Sequence, residues 1–474
     1  MLQLQQISRD VLREKYARGT ERSATDVHTR VAAGLAGVER DRRDDWQNRF
    51  SEALRSGLVM AGRISAAAGT ATRVTWINCF VQPVADCISA QDENGLPGIY
   101  EALREATETL RRGGGVGYDF SNIRPRGAFV KGTGSTASGP VSYMRVFDRS
   151  CETVESAGVR RGAQMGILRV DHPDIGDFIR AKDTVGELTN FNISVGVTDA
   201  FMRAVRDDAP FDLVHAARPS ERRIAEGVTQ RVDGLWLYER IRARELFELI
   251  TRSTYDHGEP GIFFLDRVRA ENNLAYCEDI DACNPCAEQP LPAYGCCCLG
   301  SINLTRFVDN PFGPDARFDF GRFADVARTG VRMLDNVLDG TMWPLEKQRE
   351  EAMNKRRIGL GFLGLGSTLV MLRTRYDSAE GQTFAARVAE VLRDASYEAS
   401  IELAEERGAF PLFDADKYLA SGFAKRLPRA IRRGIELHGL RNSHLNSIAP
   451  TGTISLAFAD NASNGSVARR RCRI

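Results

Sequence analysis

No run of about eighteen uninterrupted apolar residues occurs in the sequence, and the opening MLQLQQISRDVLREKY lacks the apolar centre of a signal peptide. A membrane span and a secretory leader are therefore not expected, and the chain reads as cytoplasmic. An excess of one charge is missing too. With 64 Lys and Arg against 63 Asp and Glu, no global field favours nucleic acid or a membrane as a partner, so a charged ligand must be held locally. Internal repeats and Pro- or Ser-rich linkers are also absent. The run GGGVG at 113–117 has neither the G-x-G-x-x-G spacing nor the later acidic residue of a dinucleotide fingerprint.

What is present is enough for a large core: 474 residues, 43% hydrophobic and 27% charged. Apolar positions at helical spacing predict helices over 10–18, 24–37 and 42–56, with Val27, Val31, Leu35 and Phe50 facing inward. We read residues 1–62 as a helical N-terminal region and 63–474 as one α/β domain, because short β-rich runs then alternate with helical stretches. VTWINCFV (74–81) predicts a strand. In LTNFNISVGV (188–197), alternation puts Asn190, Asn192, Ser194 and Gly196 on one face and Phe191, Ile193, Val195 and Val197 on the other. A polar, small-residue face suggests a barrel interior that holds a polar ligand; an edge strand with one wet face is the competing reading. The segment 378–406 is the clearest helix, with a Ser cap and Gly408 and Pro411 as stop signals. Residues 207–233 read as a surface excursion.

Five of the ten cysteines fall in CNPCAEQPLPAYGCCC (283–298). In a reducing compartment such a cluster points to metal or redox chemistry before structural bridges. Cys283, Cys286 and Cys296 to Cys298 could form a zinc site, but Pro285 stiffens the C-x-x-C turn and Glu288 makes a poor partner for thiolates. No metal ligands are assigned. Asn284, Cys286 and Glu288 stand at i, i+2 and i+4, so an extended loop would point an amide, a thiol and a base the same way, stiffened by Pro285, Pro290 and Pro292.

NPCAEQPL (284–291) resembles the active-site finger loop of ribonucleotide reductases, specifically the adenosylcobalamin-dependent class II enzymes. Five further segments agree in order: RVTWINCFV (73–81), the glycine-rich 111–144, SAGVRRGAQMGILRVDHPDIGDFIRAKD (156–183), CCLGSINL (297–304) and NSIAPTGTIS (446–455). The similarity spans roughly 60–465. It implies a ten-stranded α/β barrel with the finger loop inside, and reduction of ribonucleotides, expected to be diphosphates, to deoxyribonucleotides by a thiyl radical. On this resemblance Cys286 takes the 3′ hydrogen, Glu288 is general base on the 3′ hydroxyl and Asn284 hydrogen-bonds the substrate hydroxyls. Cys79 and Cys297 become a disulfide as the 2′ hydroxyl leaves as water. Counting back six residues from Asn303 selects Cys297, with Cys296 and Cys298 as core fillers on the other face. Asn78 and Gly115 would touch substrate, Gly113 to Gly115 would admit close backbone approach to a nucleotide, and the turn Pro450, Thr451, Gly452, Thr453 and Ile454 would present N–H groups to phosphate.

The resemblance also implies deoxynucleoside triphosphate effectors at a homodimer interface, with loops 125–136 and 156–164 and Arg160 and Arg161 as effector contacts. Taken alone, the arginine pair reads as solvated. Thioredoxin or a similar dithiol would restore the active-site disulfide. The N-terminal region is unlike the family's ATP-binding cone, so no overall activity switch is expected. The family pattern continues beyond PTGTIS, whereas this sequence ends SVARRRCRI with Cys472 alone; closing strands and a C-terminal cysteine pair are therefore expected to be absent. That expectation calls for a second polypeptide to complete the barrel, and for weak activity without it. Two alternatives stay open: the large subunit of a class I, metal-cofactor reductase, and a non-catalytic nucleotide-binding paralogue.

Overall fold

The computed structural model describes residues 5–154, 162–460 and 462. The chain divides into two compact units, one built from Met1–Asn78 with Cys296–Ile474 and the other from Cys79–Gly295. Among the described residues no helix is long and apolar enough to cross a membrane.

The second unit is organised by five parallel strands in the order Gly261–Phe264, Phe191–Val197, Gln164–Arg169, Gly115–Asp119 and Cys79–Val81. Alternation sorts their side chains. Val116, Tyr118, Phe191, Ile193, Val195 and Val197 enter one hydrophobic core with Phe120 and Phe147, beneath the helices Ile99–Arg111 and Pro140–Thr153. Gly115, Gly117, Asp119, Asn192 and Ser194 are left on the opposite face. Phe191–Val197 has a parallel neighbour on each side, so it is an interior strand and not an edge. The expected surface excursion is partly structured: Pro210–His215 and Thr229–Gln230 flank Trp236–Arg242 in a small antiparallel sheet.

The predicted strand 74–81 shortens to Cys79–Val81. Upstream, backbone donors are satisfied by side chains instead of a ladder: Trp76 N donates to Thr341 Oγ1 (2.8 Å) and Arg63 N to Asn78 Oδ1 (3.2 Å). The first predicted helix also shifts. Gln6–Val11 is α-helical, Leu12–Tyr16 widens into a π turn, and the chain leaves at Ala17, where Arg18 N meets Glu21 Oε2. Ala24–Ala36 and Arg43–Arg55 form as their periodicity predicts, and Ala379–Arg407 as its Ser378 cap and periodicity predict.

The first unit carries a three-stranded sheet in which Leu299–Asn303 lies between Leu58–Met60 and Gly359–Leu363. Its helices are tied by a buried charge network centred on Asp335 of helix Phe320–Gly340. The Asp335 carboxylate, fully buried, accepts from Arg356 Nε (2.8 Å), Asn442 Nδ2 (2.9 Å), Arg407 Nη1 (3.3 Å) and Arg441 Nε (3.3 Å). Burial alone would raise this carboxyl. Arg356 and Arg441, with the hydrogen bonds of Arg356 and Asn442, outweigh burial and hold it below the ordinary carboxylate range. Its contribution to stability is thus present above the unfolded value near 3.8 and is lost as pH falls through the lower folded value. Asp335→Asn keeps the volume and removes one shared carboxylate, while Arg356 keeps Asp339 and Arg407 keeps Glu39 and Glu406, so the urea midpoint should fall by the equivalent of about 1–3 kcal/mol; an unchanged midpoint would show the network to be dispensable.

Candidate active site

The NPCAEQPL segment is a β-hairpin, not an extended loop. Ala282–Cys283 pairs antiparallel with Pro290–Leu291, and the connecting turn puts Ala287 at a φ of 65°. Asn284 closes the turn with four hydrogen bonds. Its N–H donates to Gln289 O (3.1 Å), its carbonyl accepts from Ala287 N (2.9 Å), its Oδ1 accepts from Gln289 N (3.0 Å) and its Nδ2 donates to Glu288 Oε2 (2.6 Å). The turn brings the Asn284 amide to the Glu288 carboxylate, with Asn284 buried, Glu288 half-buried and Cys286 exposed.

Glycine lets the hairpin lie on the sheet. A β-carbon at Gly117 would fall 1.8 Å from the Cys283 carbonyl oxygen, so only a residue without a side chain allows that approach. Further along, Asn192 Nδ2 donates to Pro285 O (2.6 Å). Past the hairpin, Tyr294 N donates to Val81 O (3.0 Å) and Tyr294 OH to the buried carboxylate of Glu105 (3.0 Å), which also accepts from Gln82 Nε2 (2.6 Å). The Tyr294 bonds tie the chain leaving the hairpin to the strand Cys79–Val81 and the helix Ile99–Arg111.

Burial sets the electrostatics. It raises Glu288 above the ordinary glutamate value, opposed by the hydrogen bond from Asn284. Cys283 is pushed up to about 12 by burial first and then by Glu288, Cys286 and Cys79, so it stays a thiol. At the end of Gly115–Asp119, burial lifts Asp119 to about 6, against hydrogen bonds from Ser121. A thiol exposed beside a carboxylate of raised affinity for protons can exchange hydrogen with a bound molecule while the carboxylate takes a proton.

Among the expected site residues, Cys79, Gly115, Asn284, Cys286 and Glu288 lie in the second unit, and Cys79 is the register partner of Gly115. Asn78, Cys297 and residues 450–454 belong to the first unit. Cys296, Cys297 and Cys298 are all buried, and Cys298 Sγ donates to Leu334 O (3.4 Å). Thr451 has a φ of 56° and caps the short helix Gly452–Phe458, whose first N–H groups have no acceptor within the helix. Arg160, Arg161 and Cys472 lie outside the described residues. Within the glycine run, a β-carbon at Gly114 would meet the Phe80 ring at 2.7 Å, a packing constraint. Sequence reasoning missed Gly117 as the seat of the hairpin and the roles of Asn192 and Glu105. The signal for the first was the small-residue alternation in GGGVGYD, read only for its phosphate spacing.

An exposed thiol on a hairpin braced over a parallel sheet defines the site. Comparison with known proteins places the chain in a family. A family profile described as "Ribonucleotide reductase, barrel domain" matches residues 77–468, and one described as "Ribonucleotide reductase, all-alpha domain" matches 2–73; the chain belongs to the ribonucleotide reductase large-chain family. It is 38% identical over 458 residues to a vitamin B12-dependent ribonucleoside-diphosphate reductase of Mycobacterium tuberculosis, covering 94% of this chain and 59% of that protein. A protein of the same description from Thermoplasma acidophilum is 36% identical over 411 residues (86% of this chain, 48% of the relative). The ribonucleoside-diphosphate reductase large chain 2 of Saccharomyces cerevisiae is 28% identical over 401 residues (77% and 45%). The chain thus spans about three-fifths or less of the length of these relatives.

The seating of the hairpin gives a direct test. Gly117→Ala should keep the far-UV circular dichroism, lower stability by about 1–3 kcal/mol and speed amide hydrogen exchange over 283–289. Unchanged exchange there would show that the hairpin does not rest on this glycine.

Proposed function

We propose that the chain carries the catalytic core of an adenosylcobalamin-dependent ribonucleoside-diphosphate reductase, with a ten-stranded barrel around the finger hairpin. The observation that carries this reading is the hairpin itself, which presents Cys286 outward while Asn284 holds the Glu288 carboxylate beside it. Cys286, as a thiyl radical, takes the 3′ hydrogen of the ribose and returns it at the end. Glu288 accepts the 3′ hydroxyl proton. Asn284 spends one amide hydrogen on Glu288 and keeps a second for a substrate hydroxyl. The 2′ hydroxyl leaves as water, and Cys79 and Cys297 together give up two electrons and two protons as they form a disulfide. A dithiol of the thioredoxin class reduces that disulfide again. Asn78 and Gly115 line the substrate, and Pro450 to Ile454 bind its diphosphate through backbone N–H groups. Deoxynucleoside triphosphates acting on a homodimer complete the reading.

The exposure of Cys286 at the hairpin tip suits an external radical source. Adenosylcobalamin, when bound, would supply the radical that accepts the hydrogen atom of the Cys286 thiol. Similarity to the yeast large chain supports a second reading, in which a separate metal-containing subunit is that source. Dependence of turnover on added adenosylcobalamin separates the two, and nucleotide binding without turnover would favour a non-catalytic paralogue.

Cys286→Ser should abolish reduction while substrate affinity changes less than about threefold, since the hydroxyl keeps the loop's shape and cannot form a usable radical; persistent reduction would refute the assignment. The acid limb of kcat/KM should lie above pH 4.5, the ordinary glutamate value, because Glu288 must be ionised to act as base and burial raises its pKa. Rates rise with pH through that limb, and Glu288→Gln should remove it. Cys79→Ala and Cys297→Ala should each stop multiple turnover with a dithiol, whereas Cys296→Ala and Cys298→Ala should cost stability alone. Loss of turnover confined to Cys298→Ala would move the redox position by one residue.

A further inference from the structure

The bonds that Asn284 makes shape the turn but do not fix it to the sheet. Two contacts do so, and both come from one row of the sheet. Gly117 is the register partner of Met165, and Met165 is the register partner of Asn192, so the three stand side by side across adjacent strands. The Cys283 carbonyl rests on Gly117, and the Pro285 carbonyl receives the Asn192 amide at 2.6 Å. Strands are spaced by roughly 4.8 Å, so Gly117 and Asn192 stand about 10 Å apart, a span that the two residues after Cys283 and the Asn192 side chain cross together. Only the donor end of the amide can meet a carbonyl, which fixes the orientation of the Asn192 side chain.

The anchored carbonyl belongs to the residue immediately before Cys286. Beyond it the chain turns through Ala287 at positive φ, and the thiol projects from the surface. Without the Asn192 bond the hairpin would lose the tie to the sheet at Pro285, next to Cys286, while the seat at Gly117 lies nearer its root. We infer that Asn192 is a positioning residue that pins the finger tip through the Pro285 carbonyl and so sets where the Cys286 sulfur stands. The inference rests on the proposed function for its kinetic consequence but not for its structural one. Hydrogen transfer between sulfur and carbon depends steeply on approach, and a shift of about 1 Å in a reacting group costs on the order of 100-fold in rate. Asn192 has no role in holding the nucleotide on this reading, so affinity and rate separate.

The test uses Asn192→Ala, which removes the donor, and Asn192→Asp, which keeps the shape and sets an oxygen against the carbonyl. Two readouts are independent of activity: amide exchange at Cys286 and Ala287, and the alkylation rate of Cys286 by iodoacetamide, followed by peptide mass spectrometry. Both variants should keep the unfolding midpoint within about 1 °C, speed exchange at these amides at least tenfold and alter the alkylation rate. With adenosylcobalamin and a dithiol, kcat should fall about 10- to 100-fold while KM stays within about twofold. Exchange and alkylation equal to wild type in both variants overturn the inference, even if kcat falls. Loss of fold in both also overturns it, because Asn192 would then be a structural residue of the strand. A wild-type protein inert with adenosylcobalamin and dithiol would overturn the proposed function, and the exchange and alkylation arms would still decide the positioning role.

Discussion

One buried side chain, Asn284, sets the geometry on which the candidate site depends. A two-strand hairpin of this length must turn within a few residues, and the turn must hold the Glu288 carboxylate while leaving the Cys286 thiol exposed. Asn284 meets both needs because its amide has a donor and an acceptor: Oδ1 takes Gln289 N and Nδ2 reaches Glu288 Oε2. Aspartate in its place would have the same shape but no donor, and would set a second carboxylate against Glu288. Alanine would leave the Gln289 N–H buried without that partner, at a cost of about 1–3 kcal/mol. The residue is thus a turn-former first, and its reach toward a substrate hydroxyl follows from the hydrogen that the turn leaves over.

The same burial divides the sulfur chemistry of the hairpin. Cys283 and Cys286 are three positions apart, yet one faces the sheet and is held as a thiol by burial and neighbouring negative charge, while the other is exposed. A zinc knuckle needs its paired thiolates to converge. Here the stiff Pro285 and the close approach at Gly117 send them into different surroundings. Among the described residues no group of three or more His, Cys, Asp or Glu could hold a metal ion.

Much of this was legible in the sequence because the signals were local. The helix cap at Ser378, the alternation of Phe191–Val197 and the ordered family segments each depend on residues near one another in the chain. What escaped depends on distant partners. Val74 to Asn78 has strand composition but ends as irregular chain because Thr341, far along the sequence, takes the Trp76 N–H. The extended finger loop failed for a related reason: prolines bias their neighbours toward extended backbone, but the pairing of Cys283 with Pro290 forces the intervening residues to reverse. The polar face of Phe191–Val197 was seen, whereas its ligand in this structure, a backbone carbonyl of the hairpin, could not be deduced from spacing.

The two units solve one mechanical problem in the same way. In the first unit a β-carbon at Gly361 would fall 2.1 Å from the Ser447 carbonyl oxygen, as one at Gly117 would meet Cys283 in the second. There too the chain laid over the glycine leads directly into a candidate site, the turn at Pro450 and Thr451. Side-chain bonds again complete the seat, with Asn446 Nδ2 donating to Leu360 O (3.2 Å) and to Ser396 Oγ (3.0 Å). A side chain on the strand would lift each segment by an ångström or more, and a donor placed for a reacting group would miss it. Glycine at these strand positions weakens the strands, since it contributes no packing and is entropically costly to order. That cost is accepted at the two places where backbone has to lie against backbone to aim a loop, which ties the pattern of small residues in the sheets to the site they position.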